Sequence, residues 1–215
     1  MIGLGVNVRK LIDDFNLEIL VHGNEEVEIS VNDINRPGLQ LAGFYNYFAP
    51  ERIQVIGKAE WSFLDDMQIE LRKKRVKKYF TFDINCLIIT RDLEPHKEFL
   101  KEAEKHNDWV LRTSLVTTQF ISKTTIYLAD KLAPETRLHG VLVDVSGIGI
   151  LITGESGIGK SETALELIKR GHRLVTDDAV DIREIDGQLI GTSPKITIGM
   201  LEVRGIGIID VTTLY

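Results

Sequence analysis

Residues 150–161 read Ile150-Leu-Ile-Thr-Gly-Glu-Ser-Gly-Ile-Gly-Lys-Ser161, an apolar run that passes directly into the pattern G-x-x-x-x-G-K-S at Gly154, Gly159, Lys160 and Ser161. The stretch predicts a strand, a phosphate-binding loop and a helix start, and with them a nucleoside triphosphate site. The backbone amides of Gly154, Glu155, Ser156, Gly157, Ile158 and Gly159 must wrap around phosphate oxygens, and glycines permit the positive-φ turns that aim them inward. Lys160 then neutralises phosphate charge, and the Ser161 hydroxyl is a candidate Mg²⁺ ligand. A glycine-rich turn that merely joined a strand to a helix would leave the Lys160-Ser161 pair unexplained.

Downstream, residues 161–171 carry an apolar face at Ala164, Leu165, Leu167 and Ile168, with Glu162 early, Lys169 and Arg170 late, and Gly171 as the stop. These signals predict a helix whose N-terminus faces the phosphates. Upstream, residues 141–145 and 148–153 are apolar runs joined by Ser146-Gly147, which predicts a β-hairpin feeding the loop. The common parallel-sheet P-loop proteins have a lone strand there, so a different P-loop architecture is expected. After the helix, Asp177 and Asp178 close an apolar run, where carboxylates serve either as turn or cap residues or, behind a phosphate loop, as metal ligand and base.

The 215 residues, 43% hydrophobic and 27% charged, describe an ordinary globular chain long enough for two modest cores. Residues 8–15 have helical spacing, and residues 17–21 and 27–31 read as short strands. Further on, residues 86–90 and 109–112 read as strands, and residues 95–106 and 115–131 as helices. This is an α/β succession. Pro134 among polar neighbours marks a boundary, giving an N-terminal α/β domain at 1–133 and a P-loop domain at 134–215.

A net charge of −6 argues against a nucleic-acid or membrane-surface role, and no run approaches the length of a membrane span. The absence of a signal segment makes the cytoplasm the expected location. The single Cys86 sits in an apolar run and reads as a buried strand residue. One local exception to the acidic balance is Arg72-Lys-Lys-Arg-Val-Lys-Lys78, read as a solvated helix face with an acidic-partner or nucleic-acid patch as the alternative. Phe44, Tyr45, Tyr47 and Phe48 read as core or interface aromatics.

Residues 139–145, 154–161, 171–178 and 201–210, with Asn35-Arg-Pro-Gly-Leu-Gln-Leu-Ala-Gly43 and Arg52-Ile-Gln-Val-Ile-Gly57 in the first half, closely resemble the HPr kinase/phosphorylase family. The resemblance covers both halves. It implies a bacterial enzyme that phosphorylates a regulatory serine of the phosphocarrier protein HPr with ATP and Mg²⁺, and removes that phosphate by phosphorolysis, in carbon catabolite control. It also implies a catalytic domain similar to phosphoenolpyruvate carboxykinases and assembly into hexamers. Lys160 from the loop and Asp178 behind it are read as catalytic, Asp178 as the base toward the serine hydroxyl, with Ser161 a metal ligand and Asp177 orienting the metal through water; by resemblance, His139 joins the catalytic residues and Glu202 holds the metal. The run Leu201, Glu202, Val203, Arg204, Gly205, Ile206, Gly207, Ile208, Ile209 and Asp210 is the family's catalytic motif. Because such chains run roughly another hundred residues past that motif, the expectation is that the C-terminal part of the catalytic domain is missing. A small-molecule kinase on the same loop and a nucleotide-gated switch with little turnover remain open.

Overall fold

The computed structural model describes residues 5–185, 187–194, 200–203 and 207–210. The chain divides into two units, 1–132 and 133–215. In the first, β1 (Val6–Asn7), α1 (Val8–Phe15), β2 (Glu18–Val21), β3 (Glu28–Ile29), β4 (Ile34–Asn35) and α2 (Gly38–Leu41) are followed by β5 (Ile53–Ile56), α3 (Lys58–Asp65) and α4 (Ile69–Tyr79). Then come β6 (Cys86–Thr90), α5 (Lys97–His106), β7 (Trp109–Thr113) and α6 (Thr117–Leu132). The main sheet has the order β2-β7-β6-β5-β4; β4, β5, β6 and β7 are parallel, and β2 is an antiparallel edge on β7.

A parallel sheet must be covered on both faces, so its central strands read as continuous apolar runs. Alternation along β6 shows the division of labour. Cys86 and Ile88 face a core with Leu11, Phe120 and Leu128, from α1 and α6. Leu87 and Ile89 face the opposite core with Leu41, Leu64, Val76 and Phe99, from α2, α3, α4 and α5. The Cys86 thiol is fully buried and pushed up to about 12 by loss of water, so it stays protonated and inert.

Local signals set several boundaries. The Asn7 side chain accepts from Arg9 N at 2.8 Å to open α1, and Asn16 closes it with φ 49. Gln54 is buried yet fully engaged: it donates to Ala49 O and Arg52 O and accepts from Asn35 and the Tyr79 hydroxyl. Of the four aromatics expected in a core or interface, Tyr45 stacks on Phe82 and Phe48 packs on Tyr79 and Phe82, whereas Phe44 and Tyr47 are exposed.

The second unit contains β8 (Glu135–His139), β9 (Val141–Val145), β10 (Ile148–Ile152), α7 (Lys160–Lys169), β11 (Arg173–Thr176), β12 (Ala179–Ile185), β13 (Gln188–Thr192), β14 (Met200–Val203) and β15 (Gly207–Asp210). They form the sheets β10-β9-β11, β13-β12-β8 and β14-β15. Residues 135–137, read from their polarity as connecting chain, are the start of an edge strand. Glu135–His139 is exposed throughout and has no apolar alternation; its backbone ladder to β12 and the Arg137–Asp181 pair hold it.

Asp108, at the α5–β7 junction, generates a pH dependence. Burial, reinforced by the charge of Asp83, pushes its carboxyl up to about 7. The folded protein therefore keeps a proton that the unfolded chain releases near pH 4, and stability falls as pH rises from about 4 to about 7. Asp108→Asn should remove that loss. Thermal melts should show the variant close to wild type at pH 4 and more stable at pH 8, by on the order of a few kcal/mol. Parallel pH profiles for the two proteins would overturn the assignment.

Candidate active site

The phosphate loop is built by a hairpin and a helix sharing one small core. β9 and β10 pair antiparallel through Ser146 and Gly147, whose φ values of 55 and 89 make the two-residue turn that matches strand twist. Asp144 Oδ1 accepts from Gly147 N at 2.7 Å and pins that turn. Beneath, Val141 and Val143 pack against Ala164 and Ile168 of α7. Burying two such large side chains contributes roughly 3–6 kcal/mol, which holds the helix start against the strand end.

Between β10 and α7, Gly154, Gly157 and Gly159 take φ values of 152, 86 and 103. A Cβ at Gly154 would meet Ile158 Cγ2 at 3.0 Å. Positive φ favours glycine at all three positions, and at Gly154 the close approach of Ile158 adds to it. Lys160 Nζ donates to Gly154 O at 2.9 Å and Glu155 O at 3.1 Å, so its ammonium lies back across the loop. The first amides of a ten-residue helix have no intrahelical partner and point the same way. A phosphate placed there meets one full and several partial positive charges. The larger apolar groove of this unit, about 1480 Å³ beside Leu151, Leu174, Val180 and Leu189, contains none of these loop residues.

The two aspartates point to different neighbours. Asp177, 8% exposed, lies with both carboxylate oxygens 3.4 Å from the Ser161 hydroxyl, which donates to them. Asp178 is exposed, and its Oδ1 is 3.0 Å from His139 Nδ1. A local kink separates them: Ala179 N donates to Asp177 O at 2.9 Å, and Asp178 takes φ 70. That is the three-residue turn in its rare, strained form. Gly140 N donates to Asp178 O at 3.2 Å, and His139 stands opposite Ala179 in the β8–β12 ladder. Arg137 Nε and Nη2 reach Asp181 at 2.6 and 2.9 Å, fixing the register that delivers His139. The Arg137 guanidinium holds the Asp181 carboxyl below its ordinary value.

The structure thus joins Gly154, Glu155, Ser156, Gly157, Ile158, Gly159, Lys160 and Ser161 in one loop, and puts His139 beside Asp178. The sequence reading had Ser161 and Glu202 as metal ligands and gave Asp177 only an outer role; the direct Ser161–Asp177 contact was missed. Its signal was the position of Asp177 at the end of the strand after the loop. A hydroxyl and a carboxylate are hard oxygen donors of the kind Mg²⁺ takes, so this pair fits that ion. Leu201, Glu202 and Val203 lie on β14, and Gly207, Ile208, Ile209 and Asp210 on β15, with Glu202 opposite Ile208. The side chains of these residues, and Arg204, Gly205 and Ile206 altogether, lie outside the described residues.

Comparison with known proteins follows the same division. The family described as HPr Serine kinase N terminus matches residues 6–128, and HPr Serine kinase C-terminal domain matches residues 130–215. A protein named HPr kinase/phosphorylase from Clostridium beijerinckii is 89% identical over 212 residues, 99% of this chain and 70% of that protein. Its namesake from Clostridium perfringens strain SM101 is 76% identical over 99% of this chain and 69% of its own length. A solved structure described as the Hpr(Ser) kinase/phosphatase from Coxiella burnetii is 46% identical, covers 37% of this chain and 48% of its own, and has a TM-score of 0.36.

The strained turn predicts a conflict between stability and site geometry. Asp178→Gly should raise resistance to chemical denaturation by on the order of 1 kcal/mol, since glycine takes φ 70 without cost while the exposed pair with His139 contributes little. Circular dichroism in urea would measure it. An unchanged or lowered midpoint would mean that the turn stores no strain.

Proposed function

This chain belongs to the HPr serine kinase family, and we propose that it phosphorylates a serine of HPr with ATP and removes that phosphate by phosphorolysis. One observation carries the reading: the Ser161 hydroxyl at the phosphate loop meets Asp177, and the next residue, Asp178, meets His139. The phosphate-holding helix start and a carboxylate–imidazole pair are one peptide apart. Phosphoryl transfer needs little more from a protein than positioning, charge stabilisation and one group to take a proton.

In the forward direction the loop amides and Lys160 hold the β- and γ-phosphates. Mg²⁺ bound there would supply neutralisation of the charge that develops during transfer. Ser161, Asp177 and Glu202 are the residues proposed to hold it. Asp178 accepts the proton of the substrate serine hydroxyl as that oxygen attacks the γ-phosphorus, and ADP leaves. In the reverse direction inorganic phosphate attacks the phosphoserine phosphorus, the serine oxygen departs as pyrophosphate forms, and Asp178 returns the proton to it. His139, 3.0 Å away, orients Asp178.

The hairpin that feeds the loop supports a catalytic domain at 134–215 similar to phosphoenolpyruvate carboxykinases, preceded by an N-terminal α/β domain at 1–133. Assembly into hexamers, a cytoplasmic location and a role in carbon catabolite control belong to the same reading. No nucleic acid or membrane is assigned as a partner. Among the described residues no helix is long and apolar enough to cross a membrane.

Asp178→Asn should lower kcat in both directions by about 10²-fold or more while nucleotide binding survives, because the amide is nearly isosteric but cannot exchange the proton. Mass detection of phosphoserine on HPr, with a pyrophosphate assay for the reverse reaction, measures both rates. Retention of either activity near wild type excludes the shared acid–base role. Ser161→Ala should weaken ATP binding more in the presence of Mg²⁺ than in its absence, which calorimetry with and without chelator resolves. Equal losses would remove the hydroxyl from the metal site. ATP binding without any transfer to HPr would favour the switch reading.

A further inference from the structure

On the face of the first unit opposite α1 and α6, helices α4 and α5 pack side by side and enclose a groove of about 850 Å³. A buried tie sets their spacing: Arg72 Nη2 lies 3.3 Å from Glu98 Oε1, both side chains are largely out of solvent, and Arg72 Nη1 also donates to Leu64 O. Around this tie the groove carries Lys73, Lys74 and Lys77 from α4 and Lys97 and Lys101 from α5. Each of its three carboxylates already has a cation. Glu98 is held by Arg72, Glu70 by Lys73, and Glu102 by Lys105. Lys74, Lys77, Lys97 and Lys101 are exposed, and no ion pair is found for them among the described residues.

The result is a locally cationic groove on a chain of net charge −6. Lys73 and Lys77, like Lys97 and Lys101, are four residues apart, so each pair lies one above the other on its helix and repels by a few tenths of a kcal/mol. Such an arrangement is relieved by an anionic ligand spread over both helices. The groove also has an apolar end, where Ile69 is 58% exposed beside Pro95.

We infer that the α4–α5 groove docks an acidic amphipathic segment of a partner protein, whose carboxylates meet Lys74, Lys77, Lys97 and Lys101 and whose apolar side chain sits on Ile69 and Pro95. Carboxylates one helical turn apart match the lysine spacing on both walls, the helix-in-groove mode of recognition. A nucleic acid fits less well. The one arginine in the groove is committed to Glu98 and Leu64, leaving no free guanidinium fork for phosphates. Glu70, Glu98 and Glu102 also line the groove and oppose an evenly charged phosphate backbone, whereas a peptide can place its charges between them. This surface is independent of the phosphate loop, and its test does not need catalysis.

The probe is a synthetic, fluorescently labelled helical peptide of roughly four turns, with glutamates four apart on two edges and leucines between them, added to the full chain. Anisotropy should show saturable binding that weakens about fivefold or more between about 0.05 and 0.2 M salt. Lys77→Glu/Lys101→Glu should weaken it by about tenfold or more. Lys10→Glu/Lys123→Glu, which changes net charge equally on α1 and α6, should change it less than about twofold. Lys77→Gln/Lys101→Gln serves as a milder second pair, with circular dichroism confirming the fold. Equal losses in groove and control variants would overturn the inference by showing a non-specific charge effect. So would binding of inorganic polyphosphate, single-stranded RNA or anionic phosphatidylserine vesicles, but not of the peptide, through the same lysines.

Discussion

The kink at Asp177 and Asp178, which carries the chain from one sheet to the next without changing its direction along the partner strands, is the constraint on which the second unit's candidate site depends. A three-residue turn with φ 70 at its centre lets consecutive carboxylates serve different neighbours, one meeting the Ser161 hydroxyl and the other His139. A regular strand would also send consecutive side chains to opposite faces, but it could not end β11 of one sheet and begin β12 of another within two residues. The turn joins the hairpin–helix module that makes the loop to the sheet that presents the histidine.

Everything nearby stabilises that geometry from outside. Backbone strain at a non-glycine residue persists only where the surroundings over-determine it. Here Thr176 donates to Ala179 O, Gly140 donates to Asp178 O, and the Arg137–Asp181 pair locks the ladder beside it. The core under the loop is small, with four buried apolar side chains, whereas the first unit covers its sheet with two large clusters. Rigid support and the candidate site are therefore unevenly distributed along the chain, and much of the second unit's order comes from ladders and ion pairs.

The first unit is a different kind of object. Its sheet is buried on both faces, and several of its interior polar groups are answered by one another, as Gln54 and the Thr90–Thr117 pair show, whereas Tyr45 OH, Asp108 Oδ2 and Thr124 Oγ1 are buried without a hydrogen-bond partner among the described residues. On its outside, the lysines of α4 and α5 that line the groove at Lys74, Lys77, Lys97 and Lys101 are charges for which no ion pair is found among the described residues. An acidic chain that keeps in one groove four lysines without an ion pair among the described residues retains a local field that folding does not require, and this makes the groove a surface for interaction.

Much of this was legible along the chain. The loop from Gly154 to Ser161, the hairpin turn at Ser146 and Gly147, the helix stopped at Gly171 and the strands read at 86–90 and 109–112 are local features, in which each residue's φ preference or apolar period acts over a few neighbours. What escaped was non-local. Glu135–His139 has no apolar rhythm and becomes a strand only because β12 offers it a ladder. Ile53–Ile56 is a short run whose strand character depends on burial between two neighbours. The contact between Ser161 and Asp177 spans sixteen residues, and the pairing of His139 with Asp178 needs two strands in register. Sequence alone determined that a phosphate loop exists and which groups it carries, because glycine, lysine and serine act there through their own backbone and charge. Tertiary structure alone decided which carboxylate meets the hydroxyl and which meets the imidazole, because one strained peptide turn, closed by distant partners, sets those directions.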